Sequence, residues 1–187
     1  MQHFGGELVV AQEIPWVEDV MVRPYIGYSG MLLKQKFQTV ANEIQPAFQR
    51  MELDEEVTGT YHGLVLGTKI THSIDQIESY LSGSVAAYLL SAEYKGHQYS
   101  SSGGYRVNHT DTKTDLAGRL RLEAGSAYVT GRWKFGGNLG FEYLSAVPQI
   151  IASDKGTTVG TTDGSPTHIA SGRSLAGKLG VDLTYSF

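Results

Sequence analysis

The sequence contains no cysteine among its 187 residues, which excludes a disulfide framework and any thiolate metal site. It also lacks a run of about 18 apolar residues, so a membrane-spanning helix is not expected. Positive charge is not in excess, since 15 Lys and Arg stand against 19 Asp and Glu, and binding to nucleic acid is therefore not expected. The six histidines are scattered without metal-site spacing, and no P-loop or nucleophile elbow occurs. We therefore expect no metal, cofactor or catalytic motif.

Glycine and tyrosine, by contrast, are abundant, with 23 and 11 copies. This combination is typical of strongly curved sheets that carry rings of aromatic side chains. The mean hydropathy of −0.19 does not argue against a membrane, because barrel strands alternate lipid-facing residues with polar ones. The length suits one domain with a sizeable core.

A two-residue period is clearest at the end of the chain. Such a period predicts a strand with two chemically different faces. One face is aliphatic and aromatic, comprising Leu175, Leu179, Val181, Leu183, Tyr185 and Phe187. The other is small or polar, comprising Ala176, Lys178, Gly180, Asp182, Thr184 and Ser186.

Similar alternation predicts an all-β, antiparallel up-and-down fold. Six strands are evident, at about 20–38, 57–71, 79–95, 115–124, 138–151 and 173–187. Short turns are expected at 72–78 and near Gly136-Gly137-Asn138, and long polar loops at 41–55, 96–112 and 152–172. Residues 1–19 form a separate N-terminal segment before the 20–187 barrel, and they could add a strand, plug the interior or lie in the periplasm. For the third strand the sequence does not decide which face points outward. The two candidate outer faces are Leu81/Val85/Ala87/Leu89 and Tyr80/Tyr88/Leu90/Tyr94.

The polar faces of the last strands carry three basic and three acidic residues. If the aliphatic faces point outward, these six charges point into a narrow interior, where unpaired charge is costly. We therefore expect an ion-pair network inside the barrel, made of Arg119, Arg121, Glu123, Glu142, Lys178 and Asp182. The alternative role for the same residues is the gate of a pore.

Aromatic residues are expected at the two membrane interfaces. The periplasmic set is Trp133, Phe135, Tyr185 and Phe187, and the outer set is Tyr94, Tyr99 and Tyr105. The other interpretation of these residues is ordinary core packing in a soluble barrel.

Two segments give the chain a resemblance to the small outer-membrane β-barrels of the OmpA/OmpX-like kind. They are residues 179–187, which end on Phe187, and Arg23-Pro24-Tyr25-Ile26-Gly27-Tyr28. The resemblance implies a transmembrane β-barrel in the outer membrane of a Gram-negative bacterium, in contact with lipid and lipopolysaccharide. It also implies that Phe187 is the signal read by the barrel-assembly machinery. Such barrels begin at eight strands, so eight are expected here, or else the chain is part of a larger or oligomeric barrel.

Fold does not fix function in this group. Our leading hypothesis is a non-enzymatic structural or surface-interaction protein whose long loops 41–55, 96–112 and 152–172 bind a partner. The alternatives are a small porin-like pore and a lipid A-modifying enzyme, for which Ser100, Ser101, Ser102, His109, Asp111 and His168 are the available side chains. A soluble, calycin-like barrel with the two faces reversed is the fourth possibility.

Overall fold

The computed structural model describes residues 2–43, 49–100, 104–151 and 168–185. Its regular structure consists of β1 (Gln2–Ala11), β2 (Ile14–Val17), β3 (Val20–Glu43), β4 (Gln49–Ile74), β5 (Ile77–Ser100), β6 (Gly104–Thr130), β7 (Trp133–Ile151) and β8 (His168–Tyr185). Within those ranges no helix has the length and apolarity needed to cross a membrane.

The strands form one eight-stranded antiparallel sheet in the order β1-β3-β4-β5-β6-β7-β8. The short β2 pairs with the start of β3, and β1 pairs with the middle of β3, so the two follow one another along the same side of it. Strands that are consecutive in sequence are otherwise neighbours in the sheet. The expected all-β, up-and-down architecture with eight strands is thereby confirmed, and residues 2–17 supply the two strands that the alternation alone did not reveal.

Tight two-residue turns join the strands at one end of the sheet. They lie at positions 18–19, 75–76 and 131–132, and each contains one residue with positive φ, namely Asp19, Asp75 or Gly131. The expected reversal at Gly136-Gly137-Asn138 is wrong, because these residues pair with β6 inside β7. Gly136 instead permits close packing, since a Cβ there would lie 3.2 Å from the Cβ of Ala127.

The strands are much longer than expected at the opposite end. β3 to β6 contain 24, 26, 24 and 27 residues, whereas a tilted strand needs about 9–11 to cross a bilayer. The predicted loops 41–55 and 96–112 are therefore wrong in extent, because most of their residues pair in the β3–β4 and β5–β6 ladders. Of the predicted loop 152–172, residues 168–172 belong to β8, and positions 44–48, 101–103 and 152–167 lie outside the described residues.

The sheet is curled, and its two faces differ as the alternation predicted. Aliphatic residues on the convex face are exposed, for example Leu66, Val85 and Leu179. The outer face of β5 is the Leu81/Val85/Ala87/Leu89 set, while Tyr88, Leu90 and Tyr94 are buried on the inside. These exposures contradict the soluble-barrel alternative, in which the same aliphatic residues would pack internally.

An apolar cluster fills the concave side near the middle of the long strands. It gathers buried residues from β3 to β8: Met31, Leu33, Val57, Tyr61, Val65, Ala86, Tyr88, Leu90, Ala92, Tyr94, Ala117, Leu144, Ala146, Val147 and Ile169. The β6–β7 ladder ends at the Arg119–Leu144 pair among the described residues, and β7 then continues beside β8 alone. This departure brings β7 across the concave side, where the Tyr61 hydroxyl donates to the Ala146 carbonyl at 3.0 Å.

Candidate functional site

A chain of polar side chains lines the concave face between the tight turns and the apolar cluster. Its innermost member is Arg119 of β6, whose side chain is only 7% exposed. The Arg119 guanidinium donates from Nη2 to Glu7 of β1 and lies 5.6 Å from the ring centre of Tyr88. Its Nε has no partner among the described residues. This arrangement joins the first strand to the sixth across the concave face of the sheet.

The next polar layer centres on Glu123, four residues beyond Arg119 on the inward face of β6. Glu123 accepts hydrogen bonds from Arg121 Nη2 at 2.9 Å and from the Tyr80 hydroxyl at 2.6 Å. The Tyr80 ring in turn lies under the ammonium of Lys69, 4.2 Å from its centre. Both carboxylate oxygens of Glu123 are thus satisfied, as a charge on the inside of a narrow sheet requires.

The remaining members of the expected network lie nearby but bond differently. Glu142 and Lys178 share the wall of a cavity of about 260 Å³ with Arg121 and Glu123. Asp182 accepts a hydrogen bond from Asn138 Nδ2 at 2.8 Å. The structure therefore brings all six residues to one face, while the ion pairs it shows are Arg121–Glu123 and one from Arg119 to Glu7, a residue outside the predicted set.

A larger polar cavity of about 420 Å³ lies at the end with the tight turns. Its wall includes the ion pair between Lys134 and Glu78, whose atoms are 2.7 Å apart. The hydroxyl of Tyr80 and the carboxylate of Asp182 also face it. The interior is thus polar and charged at this end, and apolar where the cluster begins.

The apolar cluster fills the concave side next to these cavities, toward the long-strand end of the sheet. The Tyr61 and Tyr88 rings meet edge to face at 5.9 Å, and both are essentially inaccessible to solvent. Ser29 shares a hydrogen bond of 2.9 Å with the Tyr88 hydroxyl. A Cβ on Gly59 would lie 3.0 Å from Pro148 of β7, which shows how tightly β7 packs against β4.

A second, more open group of charges lies on the long part of β3 to β5. Lys34 and Lys36 both contact Glu56, at 2.6 and 3.2 Å, on the convex face. The hydrogen bond from Lys34 lowers the pKa of the Glu56 carboxyl below its usual range. An adjacent cleft of about 400 Å³ is lined by Lys36, Asp54, Glu55, Glu56, Lys95 and His97. We call this the charged cleft. It offers both signs of charge to a polar partner.

The predicted interface aromatics fall into three groups. Trp133, Phe135 and Tyr185 are on the convex face, where the Trp133 ring centre lies 4.8 Å from that of Tyr185 and 6.1 Å from that of Phe135. Tyr94 points inward, where it is 2% exposed and donates to Glu55, so it is not part of an outward girdle. The backbones of Tyr99 and Tyr105 pair with each other, and their side chains, like Phe187, lie outside the described residues.

The side chains considered for lipid A chemistry do not form a described catalytic set. The carboxylate of Asp111 accepts hydrogen bonds from the backbone N–H groups of Thr112 and Ile169, each at 2.9 Å. This fixes the start of β8 against β6, which is a structural task. Ser101 and Ser102 lie outside the described residues, as do the side chains of Ser100 and His109. Within the described part of the chain, no group of three or more acidic or histidine side chains could hold a metal ion.

Sequence patterns missed three residues that organise the site. Glu7 lay in the unassigned N-terminal segment, and its partner is 112 positions away. Tyr80 and Tyr88 belonged to one of the two outer faces that the sequence left open for β5, although their polar hydroxyls could have indicated an inward position. Comparison with protein-family models, with curated proteins and with solved structures finds no match to this chain.

Proposed function

We propose that this chain forms the wall of an outer-membrane β-barrel, with a structural or surface-interaction role carried by its long strands beyond the membrane. The observation that carries the proposal is the distribution of charge on the convex face. From Val20 to Leu32 on β3, no outward residue is acidic or basic, and the paired outward stretches of β4, β5 and β6 contain no Asp, Glu, Lys or Arg, although His62 and His72 of β4 lie on this face. At the next outward position along the strands, charged residues appear on two strands at the same level of the sheet, Lys34 on β3 and Glu93 on β5.

The length of this uncharged band fits a membrane. Twelve residue steps at about 3.3 Å span roughly 40 Å along a strand. A strand tilt of about 35–45° reduces this to roughly 30 Å across the membrane, close to the apolar band of about 25 Å in known outer-membrane barrels. The outward cluster of Trp133, Phe135 and Tyr185 lies at the turn end of the band, where an interfacial aromatic belt would be expected.

The packed interior favours a structural or binding role over the pore alternative. The buried layer of Tyr61, Tyr88 and Leu90 separates the polar cavities from the far end of the sheet. An ion would have to cross this layer, and partly buried ion pairs such as Arg119–Glu7 would have to open first. We therefore expect the purified protein to be silent in planar bilayers, and steady single-channel conductance would favour the pore.

The extension of β3 to β6 beyond the band is the part available to a partner. It is a paired sheet and not a set of flexible loops, so the charged cleft is held on a regular scaffold. Sites on strands hold their geometry better than sites on loops. We infer that the cleft, with alternating Lys and Glu or Asp side chains, binds polar groups at the cell surface, such as those of lipopolysaccharide or of a charged protein.

The membrane proposal is tested by placing a charge at two positions on one face of β5. Val85→Arg lies in the middle of the band and Ser91→Arg near its edge, about 20 Å farther along the strand. In lipid the first should cost about 2–4 kcal/mol and the second about 0–1 kcal/mol. The measurement is denaturant unfolding of protein refolded in lipid vesicles. Equal and small costs at both positions would show that the face meets water.

The surface role is tested by shortening the extension. Replacing residues 98–107 with a two-residue Asn-Gly turn should join β5 to β6 where His97 and Asn108 already pair. Folding, followed as heat-dependent mobility on SDS gels, should survive. Adhesion of cells displaying the shortened protein should fall, as should adhesion of cells displaying Lys36→Ser with Lys95→Ser. Unchanged adhesion in both would remove the interaction role and leave only the structural one.

A further inference from the structure

The two edges of the sheet run in the same direction. Six antiparallel pairings separate β1 from β8 along the sheet, and an even number of reversals leaves the two edge strands parallel. Among the described strands, no ladder joins β1 to β8. A purely antiparallel barrel therefore needs an odd number of further strands between them.

The two edges also face each other across a narrow space. His3 of β1 and Ala176 and Lys178 of β8 line the same cavity of about 260 Å³. If paired positions are followed strand by strand from Ala176 of β8, they lead to Tyr25 of β3. His3 of β1, which lines the same cavity as Ala176, pairs instead with Leu33 of β3. The last strand thus comes back to the first with the register of the sheet shifted by eight residues along β3. Closure of a barrel requires a shift of this kind.

We propose that this gap receives one β-strand from another polypeptide segment, paired antiparallel to both β1 and β8. The strand would run from the tight-turn end toward the long-strand end, like β3 and β5. Its outward residues would be aliphatic, continuing Phe4, Leu8 and Leu179 on the convex face. Its inward residues would be small or polar, since they would lie against His3, Glu142 and Lys178.

Strand addition satisfies the backbone groups of both edges at once. An exposed sheet edge is a template for another strand, and binding of this kind derives its affinity from main-chain hydrogen bonds. In a membrane the need is stronger, because lipid offers no hydrogen bonds to an open edge. A second copy of this chain in the same orientation does not meet the requirement, because its free edges run parallel to those of the first copy.

Cysteine pairs test whether the gap is real, and the cysteine-free chain makes the labelling specific. His3→Cys is combined in turn with Ser174→Cys, Ala176→Cys and Lys178→Cys, which covers neighbouring registers. Strands about 4.8 Å apart can form a disulfide, whereas strands separated by one missing strand, about 10 Å apart, cannot. His3→Cys with Leu33→Cys, on directly paired positions of β1 and β3, is the positive control.

We expect oxidation to join only the control pair, and a bis-maleimide with a spacer of about 10 Å to join at least one of the three β1–β8 pairs. A disulfide in any of those three pairs would show direct parallel closure and overturn the proposal. Failure of the long reagent in all three would overturn it as well, since the edges would then be too far apart for one strand.

A synthetic strand tests occupancy on the unmodified protein. The probe is a fluorescent peptide with the sequence of residues 77–91, the uncharged-band portion of β5, and the control peptide has the same composition in shuffled order. Saturable one-to-one binding in detergent micelles, at least tenfold tighter than that of the control, is expected. A cysteine at the probe's carboxyl end should cross-link to Gln2→Cys. Equal binding of both peptides, or cross-linking to Gln2→Cys only from the amino end, would overturn the proposal.

These tests are independent of the membrane assignment. A disulfide between β1 and β8 would remove the strand-binding gap and leave a membrane barrel in place. Equal tolerance of Val85→Arg and Ser91→Arg would remove the membrane role and leave the gap.

Discussion

The ion pair between Arg119 and Glu7 gives the sharpest energetic prediction, because it joins the first strand to the sixth across the concave face. We expect Glu7→Gln to destabilise the protein more than Arg119→Met. The side chain of Arg119 is 7% exposed and that of Glu7 is 28% exposed. Loss of the Glu7 carboxylate leaves the nearly buried Arg119 cation without its partner. Loss of the Arg119 guanidinium leaves the Glu7 anion, which water can reach.

The magnitudes follow from that difference in exposure. Removing one partner of a fully buried pair costs about 3–5 kcal/mol, and access of water to Glu7 reduces this to about 2–3 kcal/mol for Glu7→Gln. Arg119→Met should cost about 1 kcal/mol, since the methionine still packs against the Tyr88 ring. The double variant should cost little more than Arg119→Met alone, which makes the coupling energy about 2 kcal/mol.

The assay is equilibrium unfolding by denaturant in detergent micelles, followed by the fluorescence of the two tryptophans, Trp16 and Trp133. The four proteins of the cycle should show the same slope with denaturant and different midpoints. A coupling energy below about 0.5 kcal/mol, or a larger loss for Arg119→Met than for Glu7→Gln, would refute the reasoning about burial.

Three further predictions concern other parts of the sheet. Tyr61→Phe should lower the free energy of unfolding by about 1–2 kcal/mol, because a buried carbonyl of β7 loses its donor. Gly63→Ala should destabilise far more than Gly177→Ala under the same denaturant assay, since a Cβ at the first site would lie 1.9 Å from a backbone oxygen and at the second meets nothing within 4 Å. The pKa of Glu56 is lowered by Lys34, so its contribution to stability is present above the unfolded-state pKa of about 4.3 and is lost as the pH falls through its folded pKa. The protection factors of backbone amides in the extension, which correct for the pH dependence of intrinsic exchange, should therefore fall on acidification in the parent protein and change little over the same range in Glu56→Gln.

The sequence predicted the faces of the strands better than their ends. Alternation placed Leu116, Leu120 and Leu122 outward and Arg119 inward because side-chain direction in a strand depends only on parity. The ends were misplaced because Asn42, Pro46 and the acidic residues of 52–56 indicate a loop wherever strands are assumed to stop at the edge of the apolar band. Strands that continue in paired form beyond that band carry no apolar signal.

Turn positions and distant contacts depended on information that a single sequence does not contain. Gly131, between Thr130 and Arg132, and Gly136, in Gly136-Gly137-Asn138, both suit a turn, and only the register between β6 and β7 shows which one turns the chain. The Glu7–Arg119 contact requires the curl of the whole sheet. The position of Tyr94 depended on the parity of β5, where both faces carried apolar residues and the pattern was balanced.

The most direct test of the account asks what the convex face of the sheet contacts. Single cysteines at successive positions 81–89 of β5, spin-labelled in lipid vesicles, report access to oxygen dissolved in hydrocarbon and to a water-soluble nickel complex. We predict a two-residue period in which labels at Leu81, Val85 and Leu89 are reached by oxygen and shielded from nickel. Strong nickel access at those same positions would contradict the account, because the aliphatic face would then be exposed to water.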